Sequence, residues 1–384
     1  MLMKEKKLTF IESLMLVAGA GIGTGILTIP YAINKIGVFG TLVALIAAYG
    51  VSLALYVIIA DLTLHSKKSS ELIGILSEHL FYGKRQKILK AVFFVVLVFL
   101  LLENLVVYVM CASSVISDLF GIPVLVSKVI FYALASVVIF FGIKGLGIGE
   151  KYSVTFIGGV ITVLTVLAFM NVKNPLDLSF GEPTIVFAVY GLFMFTFSAI
   201  FSVIQVCNHI DKKENAKWAV TGGLTLNALL TVLFTVAAII GSDEVTEVAT
   251  VGLSESIGIP IVKVLCSIFV ILAMFSSFWS SGLAFADVIG EQFKAGKKAS
   301  WLIATLPALI LAVLLPLGIL DFVQIGAGAL SIILVIVVLP AYYHAVKCAK
   351  DTILPPQMAK SKLVLFVVGA FVVLMAISSL ISVN

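Results

Sequence analysis

The sequence predicts an all-α polytopic membrane protein with eleven transmembrane helices, of which the first and sixth are discontinuous. Three observations predict it. The composition is too apolar for water, the basic residues fall on one side of the alternating spans, and two spans five apart carry breaks at mid-length.

Of 384 residues, 61% are hydrophobic and 12% are charged, where soluble domains carry about 25% charged residues. The mean hydropathy is +1.21. Apolar runs recur along the whole chain, which excludes a soluble domain on a single anchor. The opening Met1 to Phe10 is charged, but the apolar run behind it is too long for a signal h-region and lacks an A-x-A site. The first helix is therefore expected to be retained.

The expected spans are 11–33, 38–61, 88–117, 123–142, 151–172, 184–207, 218–241, 259–286, 299–317, 322–343 and 362–383. With the N-terminus inside, 21 of the 25 Lys and Arg fall in inner segments, leaving only Lys35, Lys128, Lys173 and Lys263 outside. A miscounted span would invert every later loop, so the bias supports eleven. It places the N-terminus in the cytoplasm and the C-terminus outside, in the plasma membrane. The net charge of +5 thus speaks of topology and the lipid bilayer; no nucleic-acid partner is expected. Lys128, near the outer end of span 4, is expected to snorkel. The loop 241–258 carries Asp243, Glu244, Glu247 and Glu255 without a base and reads as a solvated outer loop. Within 62–90, "SSELIGILSEHLFYG" spaces Leu72, Ile75, Leu76 and Leu80 as an amphipathic helix lying in the interface.

Catalytic chemistry finds little support. Cys111, Cys207, Cys266 and Cys348 are far apart, and His65, His79, His209 and His344 sit at or beyond span ends. No metal-site cluster, nucleophile elbow or phosphate loop appears, so neither an enzyme nor a cofactor is expected.

Span 1 holds "VAGAGIGTGILTIPYA", residues 17–32, with glycines at 19, 21, 23 and 25. A dinucleotide fingerprint fails, because its third glycine would fall on Thr24 or Ile26 and no strand precedes it. Gly19/Gly23 and Gly21/Gly25 both satisfy the close-packing G-x-x-x-G pattern, on two helix faces. The other reading is a helix unwound where glycine density peaks, exposing backbone groups to a ligand. Five spans on, the stretch Phe195-Thr196-Phe197-Ser198-Ala199 interrupts span 6, which must run the opposite way. Two interrupted helices facing one another are a binding-site signature, although Thr and Ser can also bond to their own i−4 carbonyls.

Gly23-Thr24-Gly25-Ile26-Leu27 followed by Pro30-Tyr31-Ala32 resembles the first-helix motif of the amino acid/auxin permease family. "FSAIFSVIQVCNHIDKKENAKWAV" resembles that family's sixth span and the basic loop behind it. The resemblance places the chain in the amino acid–polyamine–organocation superfamily. It implies a LeuT-like five-plus-five inverted repeat, with residues 1–172 as one repeat, 184–345 as the other and 362–384 as an extra helix. Aromatic amino acid permeases and germinant permease subunits share that architecture.

The resemblance also implies a site. Backbone groups of Gly21, Gly23, Thr24 and Gly25 would take a substrate carboxylate, and carbonyls of Phe195, Thr196, Phe197, Ser198 and Ala199 the amino group. Phe195 and Phe197 would set side-chain selectivity and form a gate; each could equally be a packing residue. Tyr108 could reach the site, on the helix face of Asn104 and Cys111. For coupling to H+ or Na+, Glu103 in "LLENLVV" is a carboxylate near mid-membrane, where charge is costly and usually functional. A proton carrier is its functional reading, a neutral structural acid the other. Ser276, Ser277, Ser280 and Ser281 in span 8 permit a sodium site like that of sodium-coupled relatives. Those relatives carry asparagine where this chain has Gly19, and the lysine that some proton-coupled members carry in span 5 is missing near Gly158 and Gly159. The expectation is a monomeric secondary transporter importing neutral or aromatic amino acids with protons. The alternatives are a sodium symporter and a nutrient or germinant sensor that binds without transporting.

Overall fold

The computed structural model describes residues 7–66, 71–80, 86–314, 337–346, 352–353, 360–378 and 381. Its described regular structure is helical apart from one isolated bridge between Leu8 and Ile210. The chain enters the bundle through α1 (Phe10–Gly21), whose start is fixed by a capping box: Thr9 N–H donates to Glu12 Oε2 at 2.8 Å, and Glu12 N–H to Thr9 Oγ1 at 3.3 Å. Glu12 is also tied to Lys144 at 2.6 Å. After α1 come α2 (Thr24–Ile33), α3 (Gly37–His65), the short α4 (Leu72–His79), α5 (Gln86–Phe120), α6 (Val124–Phe140) and α7 (Gly142–Met170). The second half contains α8 (Pro183–Thr196), α9 (Ile200–His209), α10 (Ala216–Gly241), α11 (Ala249–Ile257), α12 (Pro260–Phe293), α13 (Lys297–Leu314), α14 (Leu339–Val346) and α15 (Lys362–Ser378). Pro183 and Pro260 occupy first-turn positions, where the missing N–H leaves no bond unmade.

Seven helical stretches are long and apolar enough to cross a membrane, the α8–α9 pair counting as one; α1 with α2, bent by 54° at their break, makes an eighth. α6 and α15 are apolar but, at 17 residues each, slightly shorter. Most of the expected span 322–343 lies outside the described residues, as do Cys348 and, in loop 62–90, residues 67–70 and 81–85. The outer surface is apolar: Ile46, Val95 and Phe366 are 65–73% exposed, which suits lipid and not water. This is a multi-pass membrane protein.

α1 packs between α7 and α10, α12 packs on α5, α7 and α13, and α3 packs on α8 and α9. The two broken spans therefore lie inside the bundle. Residues 177–181 cross the α2–α3 corner, where Val38 N–H donates to the Asp177 carbonyl at 2.7 Å. Gly37 adopts φ +66° there, and a side chain at that position would run into the Ser179 backbone.

Lys128 Nζ donates to the Ala312 carbonyl at 2.6 Å, near the end of α13. Two expectations are corrected here. The helix of span 5 begins before 151: α7 starts at Gly142, with Lys144 paired to Glu12 and with Gly147 and Gly149 lying against Leu8 and Trp279. The helix α4 forms, but Leu72, Ile73, Ile75 and Leu76 are buried in protein, so its apolar face does not lie on lipid.

Glu71 caps α4, accepting from the Ile73 and Gly74 N–H groups at 2.7 Å each and from the Gln292 amide. Burial, with Glu291 adding repulsion, pushes its carboxyl up to about 7 in spite of those donors. A carboxyl raised in the fold favours the native state while protonated, and that contribution is lost as pH rises through about 7. Glu71→Gln is therefore expected to gain thermal stability relative to the parent protein between pH 5 and pH 8 in detergent. A difference that stays flat with pH would contradict this.

Candidate functional site

The site is made by two helix breaks pressed together. α1 ends as the Gly19 carbonyl takes the Ile22 N–H at 2.9 Å and the Gly21 carbonyl takes the Gly23 N–H at 3.0 Å. α2 then starts with Gly23 as its N-cap and no side-chain cap. In the other span, Phe197 and Ser198 close the end of α8 by donating to the Phe193 and Phe195 carbonyls, both at 2.9 Å. α9 starts behind Ala199, again without a side-chain cap.

Glycine is required because the backbones touch. A Cβ on Gly21 would overlap the Thr196 carbonyl and Asn227 Nδ2, and one on Gly25 would overlap the Thr196 side chain. Gly19 faces Glu150 and Ser276, while Gly23 faces Ser277. Close packing and unwinding, rivals in the sequence, thus occur together in the same four residues.

A cavity, partly open to solvent, lies between the breaks. Gly21, Gly23, Thr24 and Gly25 line it from the first break, and Phe195, Thr196, Ser198 and Ala199 from the second. Tyr108 faces it from α5, its hydroxyl donating to Asn104 Oδ1 at 3.1 Å. From α12 come Ser280, within 2.6 Å of Ser202 Oγ, and Ser281. No charged side chain lines it among the described residues. Instead, two helix C-termini (α1, α8) and two N-termini (α2, α9) converge, offering carbonyls to a cation and N–H groups to an anion.

One expected substrate residue, Phe197, lies outside this cavity, and so do three of the four expected coupling residues, Glu103, Ser276 and Ser277. Phe197 is fully buried, its ring stacked 5.8 Å from Phe193 and edge-on to Tyr49, so it does not face the cavity. Glu103 is buried on α5 outside the lining, with Oε2 unpartnered. Ser277 sits behind α1 and donates to the Ile22 carbonyl at 3.4 Å, and Ser276 donates to Glu150 Oε2 at 2.6 Å.

The sequence reading missed the groups that hold the breaks. Tyr56 on α3 bridges the second one: its hydroxyl donates to the Phe197 carbonyl and accepts the Ala199 N–H at 3.0 Å. Asn227 Nδ2 on α10 donates to the Thr196 carbonyl at 3.3 Å. Phe201 adds an aromatic wall. A polar side chain inside an apolar run was the available signal for Asn227. Glu150 was hidden because it stood next to Lys151, in what read as a loop.

Membrane-length helices, two of them unwound against each other around an uncharged cavity, define a secondary transporter; the protein is not an enzyme. The chain belongs to the tryptophan/tyrosine permease family, whose model matches residues 6–381. It is a permease family, as the sequence resemblance implied, and it carries another name than the amino acid/auxin permease family. Among solved structures, Mhp1 is similar with a TM-score of 0.66 at 15% identity, covering 98% of this chain and 91% of that one. Mhp1 is a nucleobase-cation-symport-1 family transporter, seen in a closed conformation with bromovinylhydantoin bound. At that identity the likeness is one of fold. No curated protein matches the sequence.

Proposed function

We propose that the protein imports neutral amino acids with aromatic side chains, by alternating access and with protons as the coupling ion. The single observation that carries this is the cavity wall: four helix ends and no charge, with Phe195, Phe201 and Tyr108 beside them. An amino acid's carboxylate suits the N–H groups at the start of α2, and its ammonium the carbonyl ends of α1 and α8. A charged side chain would find no counter-charge there, whereas an aromatic one finds rings. Membership of the tryptophan/tyrosine permease family supports the same substrate class.

In this reading residues 1–172 and 184–345 are the two inverted repeats, 362–384 is the eleventh helix, and the N-terminus is cytoplasmic with the C-terminus extracellular. The protein works as a monomer. The Leu8–Ile210 bridge, with Leu8 N–H on the His209 carbonyl at 2.9 Å and Asp211 N–H on that of Leu8 at 2.9 Å, makes α1 and α9 move together.

The test is uptake into proteoliposomes of labelled tryptophan, tyrosine and phenylalanine against leucine, lysine and glutamate, under imposed pH or sodium gradients. Aromatic uptake driven by the pH gradient is expected, and Phe195→Ala and Phe201→Ala should each lower it about tenfold, as lost apolar contact does in selective pockets. Binding without uptake would favour the sensor, and sodium-driven uptake the sodium symporter.

A further inference from the structure

Behind the first break lies a buried carboxylate that the cavity does not use. Glu150, on α7, is 0% exposed. Ser276 Oγ donates to its Oε2 at 2.6 Å, and Oε1 has no hydrogen-bond partner. Gly19 lies directly over the pair, since a Cβ there would overlap both Glu150 Oε2 and Ser276 Oγ. The carboxylate is thereby held where α1 unwinds: the Gly19 carbonyl receives the Ile22 N–H, and Gly21, two residues on, lines the cavity.

Nothing nearby neutralises it. The elements packed against α7 are α1, α6, α10 and α12. Their charged groups are Glu12 on α1, Lys128 on α6, Lys217 on α10, and Lys263, Asp287 and Glu291 on α12. α7 itself adds Lys144 and Lys151, and the weaker titrating groups are Tyr132, Tyr152 and Cys266. None forms an ion pair with Glu150 among the described residues. Glu12 and Lys144 hold each other, Lys128 is on the Ala312 carbonyl, and Lys151 is exposed over the Tyr152 ring.

An unpaired carboxylate at this depth is expensive and needs a positive partner. A proton needs only Oε1.

We propose that Glu150 is the proton-binding site of the transport cycle. Its carboxylate takes one proton on Oε1 from one side of the membrane and releases it to the other. No other bond is made or broken. Because Gly19 rests on Oε2, the charge on Glu150 sets how the unwound end of α1 packs against α7 and α12, and so couples the proton to the substrate cavity. The inference rests on the transporter reading and adds the residue that carries the ion.

The experiment uses the full chain in proteoliposomes with labelled tryptophan. One proton per substrate across one pH unit drives accumulation of about tenfold. Glu150→Gln is expected to lose accumulation yet keep exchange of internal for external tryptophan. Accumulation in Glu150→Gln equal to the parent would overturn the assignment, as would loss in Glu103→Gln with Glu150→Gln unaffected, or accumulation driven only by sodium.

A second readout needs no substrate: the infrared carboxyl band that changes between acid and alkaline pH should be missing from Glu150→Gln. If the parent shows that band but transports no aromatic amino acid, the substrate reading fails and the proton site stands. If the band is unchanged in the variant, the proton site fails whatever is transported. Should Glu150→Gln not fold, Ser276→Ala keeps the carboxylate and should displace the pH dependence of both band and uptake. No displacement in either would overturn the proposal.

Discussion

Gly21→Ala is expected to lower substrate binding by about fivefold to 150-fold, the range that corresponds to the 1–3 kcal/mol of an overpacked contact. The added methyl would meet the Thr196 carbonyl and the Asn227 amide. Asn227 can turn away, but the carbonyl is main chain and can yield only if α1 and α8 separate. Separation pulls apart the helix ends that face the substrate, so a methyl group acts on the site without touching the ligand. Labelled-tryptophan binding to purified protein measures the effect. Gly159→Ala is the control: nothing lies within 4 Å of a Cβ there, so binding should be unchanged. Equal binding by Gly21→Ala and the parent would show that the two breaks are not in contact.

Tyr56→Phe removes a single oxygen and should be strongly damaging. The hydroxyl satisfies the Phe197 carbonyl and the Ala199 N–H together, at residues 0% and 3% exposed. Water reaches neither of them readily, and a buried polar group left unpaired costs about 1–3 kcal/mol. A loss of about 2–6 kcal/mol in stability follows for the two groups, read by denaturant or thermal unfolding in detergent. Tyr49→Phe provides the comparison. Its hydroxyl meets Thr225 Oγ1 at 2.8 Å at an exposed position, so the change should stay within about 0.5 kcal/mol. If the two variants were equally stable, Tyr56 would not be what holds the second break.

The breaks were legible in the sequence because they need unusual residues. Four alternate glycines in an apolar run, and Thr196 with Ser198 in another, depart from what a membrane helix requires, and each departure has a local cause. Glu150 and Asn227 were harder to read. Asn227 is one amide in a long helix, and its meaning comes from the Thr196 carbonyl 31 residues away in the chain. Glu150 stood in "GIKGLGIGEKY", where glycines and lysines read as a loop. In the fold that stretch is helical, its Lys144 pairs with Glu12, its Gly147 and Gly149 lie against Leu8 and Trp279, and its carboxylate is inside. Phe197 failed in the opposite way. A phenylalanine beside a break could face either side, and helix geometry turned this one toward Phe193 and Tyr49.

By itself the sequence determined the solvent, the helical class and the two interrupted spans. These follow from hydropathy and from single-residue backbone preferences, which act within one segment. Tertiary structure decided which groups meet at the breaks: Tyr56 across Phe197 and Ala199, Thr196 against Gly21, and Glu150 under Gly19. Those pairings join residues of helices that are distant in the chain. They depend on how each helix is turned in the bundle, and rotation about a helix axis is set by packing against its neighbours, which an apolar run alone does not specify.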